Sequence, residues 1–373
     1  MTRGRVALIA VAVLAAIALP AVVAAALVED RAGSGVVDGT IWVANEGADS
    51  LTAIDAKSHE VVTVIRGIAA PHNVQVSPEG RTVWATAGNG LVAAIDAGTQ
   101  RVVHAVAVGP SPAHVIVSPD GTRVFAAVAG ANRVAVIDAH RGVLERDVAV
   151  GSFPHGLRPT PDGGEVVVAN MESGSVGILD ARAPGEAVEV PVGDMPVQVA
   201  VDPRGRFAYV SLNGDDEVAK LDLRSRRVVS RTNVCGGPIQ LYPTPNGRAI
   251  LAACQGTAER PNDELAFVDA TTMRVVDTIV TGSGAHGVVV EPSGRYAYVT
   301  DVWAGDVAVV DLGTRRVVDR ISVGGEPNGI SFSPLRQPHA RGAVNMSSPR
   351  ETTVELGGRT DGKGGGGGHH DHG

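Results

Sequence analysis

The chain has 373 residues, of which 44% are hydrophobic and only 3% aromatic, with 47 Gly and 22 Pro. This composition is turn-rich but provides enough aliphatic residues for a core, which argues against a disordered chain. A formal net charge of −8 argues against a general nucleic-acid-binding surface. Two cysteines, without a Cys-x-x-Cys-His sequence, exclude a disulfide-dense small domain, a four-cysteine zinc module and covalently attached c-type haem.

The N-terminal segment has the pattern of an export signal. Arg3 and Arg5 precede an uncharged run from Val6 to Val28, as in a secretory signal peptide. The same run is long enough to span a bilayer if it is not cleaved. Residues 1–28 are therefore predicted to be a signal peptide or an N-terminal membrane anchor. Either alternative places the remaining chain outside the cytoplasm, in the periplasm, at the cell surface or in the medium.

Two landmarks recur in step along the rest of the chain. A Pro, usually followed two residues later by Gly, returns after 41, 42, 42, 42, 47 and 42 residues, and an Asp that ends an apolar stretch follows the same spacings. Each unit holds four short Val-rich stretches separated by turn residues, which indicates four strands. Seven such units predict an all-β fold, a seven-bladed β-propeller over residues 38–335. The landmark residues are Pro78, Pro119, Pro161, Pro203, Pro245, Pro292 and Pro334, and Asp55, Asp96, Asp138, Asp180, Asp222, Asp269 and Asp311.

The phase of the repeat predicts how the ring closes. The chain enters the repeat on a second strand, Thr40–Asn45, and leaves it on a first strand, Asn328–Ser333. We therefore expect one blade to combine three N-terminal strands with one C-terminal strand. Such a 3+1 latch removes two free sheet edges.

The second strands carry a family resemblance. They include Trp42-Val-Ala-Asn45, Val167-Val-Ala-Asn170 and Tyr298-Val-Thr-Asp301, and turns such as Ser118-Pro-Asp-Gly121 precede them. These sequences resemble the YVTN-type seven-bladed β-propeller repeat family over roughly residues 38–335. The resemblance implies the fold but leaves function open, because that family includes surface-layer and adhesion proteins, periplasmic proteins and relatives of oxidoreductase propellers.

Histidines fall at one position of the repeat, at the channel-mouth end of the first strands. The repeat position in question lies six residues before each landmark Pro. Polar residues occur at this position or at the next one in all seven units, and they predict a ligand site. Imidazoles that share this position could bind Cu, Zn or Fe, position an anion or a redox cofactor, or simply cap the channel with polar groups. His114 is one residue out of phase, so its side chain could face the other side of its strand. The candidate ligand-binding residues are His72, Asn73, His114, His155, Gln198, Gln240, His286 and Asn328, with His72, His155 and His286 as candidate metal ligands.

The two cysteines flank one predicted hairpin. Cys235 and Cys254 lie on either side of the turn at Pro245-Asn246-Gly247, and antiparallel pairing about that turn brings them within reach of a disulfide. An oxidising compartment favours the bond. The open alternative is a two-thiolate metal site completed by His286. The longest repeat spacing follows directly, so the inserted segment Gln255–Glu264 is predicted to be a contact loop.

The repeat ends after Pro334, and residues 336–373 are predicted to be a flexible tail that is rich in Gly and His at its end. Residues 352–356 could add one strand to the propeller. His369, His370 and His372 could bind Ni, Cu or Zn loosely, or have no role.

Three classes of function remain open from the sequence. The first is a non-catalytic extracytoplasmic binding or scaffold protein, a monomer that uses its channel-mouth face for an unidentified protein or small molecule. The second is a periplasmic metal- or haem-associated redox protein, because a histidine-lined hub resembles that of the nitrous-oxide reductase family, which holds copper there. The third is a lactonase-like hydrolase, a family that also has seven blades. The sequence shows none of the common nucleophile or phosphate-binding motifs.

Overall fold

A computed structural model describes residues 37–337 and 350–353. The predicted export segment at residues 1–28 and the histidines at positions 369, 370 and 372 lie outside the described residues. Within the described part, no helix is long and apolar enough to cross a membrane.

The described residues form seven antiparallel sheets arranged as a propeller. The chain opens with β1 (Thr40–Asn45), β2 (Ser50–Asp55) and β3 (Val61–Arg66). Blade 1 contains β4 (Val74–Val76), β5 (Thr82–Ala87), β6 (Leu91–Asp96) and β7 (Arg101–Ala107); blade 2 contains β8 (Pro112–Val117), β9 (Arg123–Val128), β10 (Arg133–Asp138) and β11 (Val143–Ala149); blade 3 contains β12 (Pro154–Pro159), β13 (Glu165–Asn170), β14 (Ser175–Asp180) and β15 (Val188–Pro191).

Blades 4 to 6 continue the same order. Blade 4 contains β16 (Pro196–Val201), β17 (Phe207–Leu212), β18 (Glu217–Asp222) and β19 (Arg227–Asn233); blade 5 contains β20 (Pro238–Pro243), β21 (Ala249–Gly256), β22 (Pro261–Asp269) and β23 (Val275–Val280); blade 6 contains β24 (Ala285–Val290), β25 (Tyr296–Asp301), β26 (Asp306–Asp311) and β27 (Arg316–Ser322). The last propeller strand is β28 (Pro327–Ser333), and β29 (Arg350–Thr353) follows it. Single-turn 3-10 helices at Glu46–Ala48 and Ala129–Ala131 follow β1 and β9.

Blade 7 is built from both ends of the propeller. β28 pairs antiparallel with β1, and β2 and β3 complete the sheet. Beyond β28, the buried carboxylate of Asp55 accepts a hydrogen bond from Arg336 at 2.6 Å, which holds the exit of the chain against β2. β29 adds a parallel strand to the edge of β3, so the strand predicted at residues 352–356 lies slightly earlier in the chain.

The recurrent Asp at the end of each third strand has a structural role. Its carboxylate accepts backbone N–H groups of the following turn, as in the Asp96 Oδ1 bond to Thr99 N at 2.7 Å. These hydrogen bonds lower the pKa of Asp96 below its usual value. The repeat therefore encodes Asx turns at these positions.

Hydrophobic cores lie between neighbouring blades. The first residue of each second-strand sequence packs on the next blade: Trp42 lies in the cluster between blades 7 and 1, and Trp84 in the cluster between blades 1 and 2. Both indoles are buried. Because every blade covers its neighbour, the channel-facing strands are held rigidly at the centre of the ring.

The two cysteines form the predicted disulfide. Cys235 and Cys254 are bonded with their Cα atoms 6.0 Å apart. Cys254 lies opposite Pro238 in the ladder, so Cys235 lies just before β20 and fixes the entry to the inner strand of blade 5. The alternative of a two-thiolate metal site is therefore wrong in this oxidised form.

Candidate functional site

The first strand of each blade lines the channel, and a β-bulge shapes its mouth. In blades 2 to 7 the register of this strand against its neighbour shifts by one extra residue just after the mouth, for example between Pro112 and Val115. A bulge redirects side chains that strict alternation would send to opposite faces. His114 lies inside the bulge of blade 2. It therefore faces the same space as His72 and His155, although these occupy the preceding position of their repeats.

Glycines make room for the polar side chains at the mouth. Where the repeat position six residues before the landmark Pro holds His155, His286 or Asn328, the next residue is Gly. A Cβ at Gly156 would lie 2.2 Å from Gln198 Oε1, and one at Gly287 would lie 2.4 Å from the carbonyl oxygen of Asn328. Neighbouring inner strands therefore approach too closely at these points for any side chain.

Three histidines converge at the channel mouth. One ring nitrogen from each of His72, His114 and His155 lies within 4.8 Å of the other two. The Nε2 atoms of His72 and His155 are 3.1 Å apart. His114 and His155 are buried, and His72 is partly buried. They come from three consecutive blades, so the repeat itself brings them together.

Hydrogen bonds to the other ring nitrogens fix the tautomers of two of these histidines. His72 Nδ1 donates to Glu46 Oε2 at 2.9 Å, and His155 Nδ1 donates to the carbonyl oxygen of Val197 at 3.2 Å. In a neutral imidazole the second nitrogen then carries a lone pair. The Nε2 atoms of His72 and His155 face each other across 3.1 Å, a separation that fits either a shared proton or a metal cation between them.

His114 is held by Gln198. The amide Nε2 of Gln198 lies 3.2 Å from His114 Nδ1, and Gln198 Oε1 accepts the N–H of Val199. His114 Nε2 is buried and has no hydrogen-bond partner among the described residues. Burial, followed by the charges of His155 and His72, lowers the pKa of His114 well below its usual value. An unprotonated imidazole with an unpartnered nitrogen is a suitable ligand for a metal ion.

His286 lies beside the three histidines but is directed elsewhere. Its Nδ1 hydrogen-bonds Gln255 Oε1 at 2.8 Å, and its ring centroid is 6.2 Å from that of His72. Burial, with the nearby charge of His72, lowers the pKa of His286 to about 3. The compact set in the structure thus contains His114 where the sequence analysis named His286. Gln255, the first residue of the inserted loop, reaches the site through His286.

The remaining predicted residues support the mouth of the channel. Asn73 Oδ1 accepts the N–H of Val115, and Asn328 Nδ2 donates to Glu46 Oε2 at 2.7 Å. Gln240 Nε2 donates to the carbonyl oxygen of Val288, while its buried Oε1 has no partner among the described residues. Asn73 therefore links two inner strands, whereas Gln240 leaves an oxygen for a ligand or water.

Sequence reasoning missed Glu46. Burial opposes ionisation of Glu46, but the charge of His72 and hydrogen bonds from His72 and Asn328 outweigh it and lower its pKa to about 2. Glu46 directly follows the last residue of a second-strand sequence, the repeat position that Gln255 occupies in blade 5. That shared position, at the entrance to the second-to-third strand loop, is the signal that could have identified it.

Residues 89–260 match the family model of the YNCE-like beta-propeller. Together with the seven-bladed architecture, this match fits a YVTN-type β-propeller and confirms the resemblance seen in the second strands. No curated protein matches the chain.

Several solved structures share the fold. Hydrazine synthase of Kuenenia stuttgartiensis matches with 22% identity and a TM-score of 0.64, covering 71% of this chain and 90% of that chain. A protein of Bacteroides fragilis NCTC 9343, provisionally assigned as a 6-phosphogluconolactonase, matches with 16% identity and a TM-score of 0.67, covering 80% and 99%. The dihydro-heme d1 dehydrogenase NirN in complex with DHE matches with 18% identity and a TM-score of 0.60, covering 78% and 65%. At these identities the similarity shows the fold alone.

Proposed function

We propose that the protein is an extracytoplasmic binding protein whose channel mouth binds one transition-metal ion through His72, His114 and His155. The observation that carries the proposal is the pair of facing Nε2 atoms of His72 and His155, 3.1 Å apart. Two nitrogens that bind one tetrahedral Zn²⁺ at about 2.0–2.1 Å lie about 3.3 Å apart, and adjacent ligands of a square plane lie about 2.9 Å apart. The observed separation falls between these values.

The surroundings support the assignment of the three imidazoles as ligands. Metal-bound histidines commonly donate their other ring nitrogen to a carboxylate or a backbone carbonyl, which orients the ring and raises its basicity. Glu46 does this for His72, and the carbonyl oxygen of Val197 does it for His155. Coordination would also give the unpartnered Nε2 of His114 a partner.

The disulfide supports a location outside the cytoplasm. A bonded Cys235–Cys254 pair persists in oxidising compartments and is rare in the cytosol. The predicted export segment at residues 1–28 points to the same location. Fractionation of the native host, with blotting of the protein in each fraction, tests this part of the proposal, and recovery in the cytosol would contradict it.

Calorimetric titration with Zn²⁺ and Cu²⁺ tests the metal site. The parent for this experiment carries alanine at positions 369, 370 and 372, so that the tail cannot bind metal. We expect this parent to bind one ion, and the triple variant His72→Ala/His114→Ala/His155→Ala to bind at least about 100-fold more weakly. His140→Ala, at an exposed position, is the matched control. Equal affinity in the triple variant and the parent would refute the site.

A single substitution distinguishes the observed set from the set named from the sequence. His286→Ala removes a ring that hydrogen-bonds Gln255 rather than the facing nitrogens. We expect it to retain most of the metal affinity, whereas His114→Ala should lose most of it. The opposite order would show that His286 and not His114 is the third ligand.

A further inference from the structure

A guanidinium below the three histidines has no partner among the described residues. Arg158 lies on β12, three residues after His155. It makes no ion pair or hydrogen bond with any residue that the structure describes. A guanidinium has five N–H donors and is always charged in proteins. Arg158 is partly exposed, and a guanidinium without an acceptor among the described residues is free to bind an anion from outside the chain.

The inner strands offer Arg158 no carboxylate at its level. Tyr242, at the equivalent position of β20, interacts electrostatically with the charge of Arg158. Burial lowers the pKa of Arg158, and the interaction with Tyr242 offsets this only in part. Burial raises the pKa of Tyr242, so its hydroxyl keeps its proton and remains a donor. The equivalent residues of the other inner strands are Gln75, Ile116, Ala200, Val289 and Ser331.

Arg158 lies near enough to the histidines for its charge to act on them. Burial and the neighbouring histidines lower the pKa of His114, and the charge of Arg158 lowers it further. Ala200 lies at the equivalent position of β16, between the strands of Arg158 and Tyr242. The acidic group of Glu46, which lies at the mouth, already accepts hydrogen bonds from His72 and Asn328.

We propose that the propeller channel binds a small oxyanion, a carboxylate or an inorganic oxyanion, through the guanidinium of Arg158 with the hydroxyl of Tyr242 as a further donor. The paired N–H groups of arginine match two oxygens of one anion. This site goes beyond the proposed metal site and does not require it, because its donors come from different residues. When both sites are filled, the anion lies on the channel side of the metal ligands.

Binding of formate, nitrite and phosphate to the full chain tests the proposal. Each anion is titrated calorimetrically into protein kept metal-free with a chelator. We expect saturable one-to-one binding of at least one of them. Arg158→Gln should weaken it at least about tenfold, since a hydrogen bond to a charged group is lost. Arg226→Gln is the matched control, because Arg226 already pairs with Glu165, and we expect it to leave the affinity unchanged.

Two results would overturn the anion site. One is a parent that shows no saturable binding of any of the three anions at millimolar concentrations. The other is equal affinity in Arg158→Gln and the parent. If Arg158→Gln does not fold, Arg158→Lys keeps the charge but loses the paired donors, and unchanged affinity in that variant also counts against the proposal.

The two proposals fail separately. The variant His72→Ala/His155→Ala should lose zinc binding and retain anion binding, whereas Arg158→Gln should retain zinc binding and lose anion binding. Loss of zinc binding in the parent would refute the metal site while leaving the anion titration interpretable. Loss of anion binding in the histidine variant, with anion binding intact in the parent, would show that the anion binds to the histidines and would overturn the assignment to Arg158.

Discussion

Replacement of His286 by Asn should make the protein less sensitive to acid. His286 is buried and its pKa is lowered to about 3 by burial and by the charge of His72. In the unfolded chain the same histidine titrates near pH 6.5. A group whose folded pKa is depressed contributes stability above its unfolded pKa and loses it as the pH falls toward the folded value. The relevant window is therefore about pH 6.5 to 3.

The size of the effect follows from these two values. At pH 5 the unfolded histidine is almost fully protonated and the folded one almost fully neutral. Linkage then lowers the free energy of unfolding by about 2 kcal/mol relative to pH 7.5. This figure depends mainly on the unfolded pKa, because any folded pKa well below 5 gives the same result. Asn is compatible with the position, since Asn328 occupies the equivalent slot in blade 7.

Urea unfolding at pH 7.5 and pH 5, in the presence of a chelator, measures the effect. The difference in free energy of unfolding between parent and His286→Asn should shift by about 2 kcal/mol in favour of the variant at pH 5. His140→Asn, at an exposed position, should show no such shift. If the parent and the His286 variant lose stability in parallel between the two pH values, the buried neutral state of His286 is refuted.

Three further predictions concern the contacts around the site. Glu46→Gln should weaken zinc binding about 10–100-fold because His72 loses its charged partner; calorimetry checks this, and unchanged affinity would contradict the role of Glu46. Cys235→Ala/Cys254→Ala should lower the free energy of unfolding by about 3 kcal/mol, since the bond spans 19 residues; urea unfolding of oxidised protein measures it, and equal midpoints would argue against the estimate. Thr300→Val should cost about 1–3 kcal/mol, because its hydroxyl links Gly287 N to the carbonyl oxygen of Asn328; a change below this range in urea unfolding would show that this bridge is dispensable.

The repeat made the fold predictable. Strand order, blade number and the disulfide follow from spacing, because a propeller repeats the same local pattern and each blade contacts only its neighbours. The position of the histidines at the channel mouth follows from the same register.

The details of the site were harder to predict because they depend on non-local contacts. The bulge that turns His114 inward adds one residue without changing the spacing of the landmarks. Glu46 and Asn328 are 282 residues apart in sequence, and no periodicity relates an acid found in only one blade to its partners. That Arg158 finds no partner in the described part of the chain becomes visible only when the other inner strands are placed around it.

The seam of the ring passes through the candidate site. Glu46 directly follows the first strand of the propeller and Asn328 lies on its last strand, yet their side chains hydrogen-bond at 2.7 Å. Glu46, the carboxylate partner of His72, thus gains its Asn328 donor only after the last strand has been synthesised and has joined the first. Closure of the seam completes the hydrogen bonds that orient His72 through Glu46. A chain truncated before the last strand would keep all three candidate ligands but lose this support, and we expect it to hold the ion more weakly.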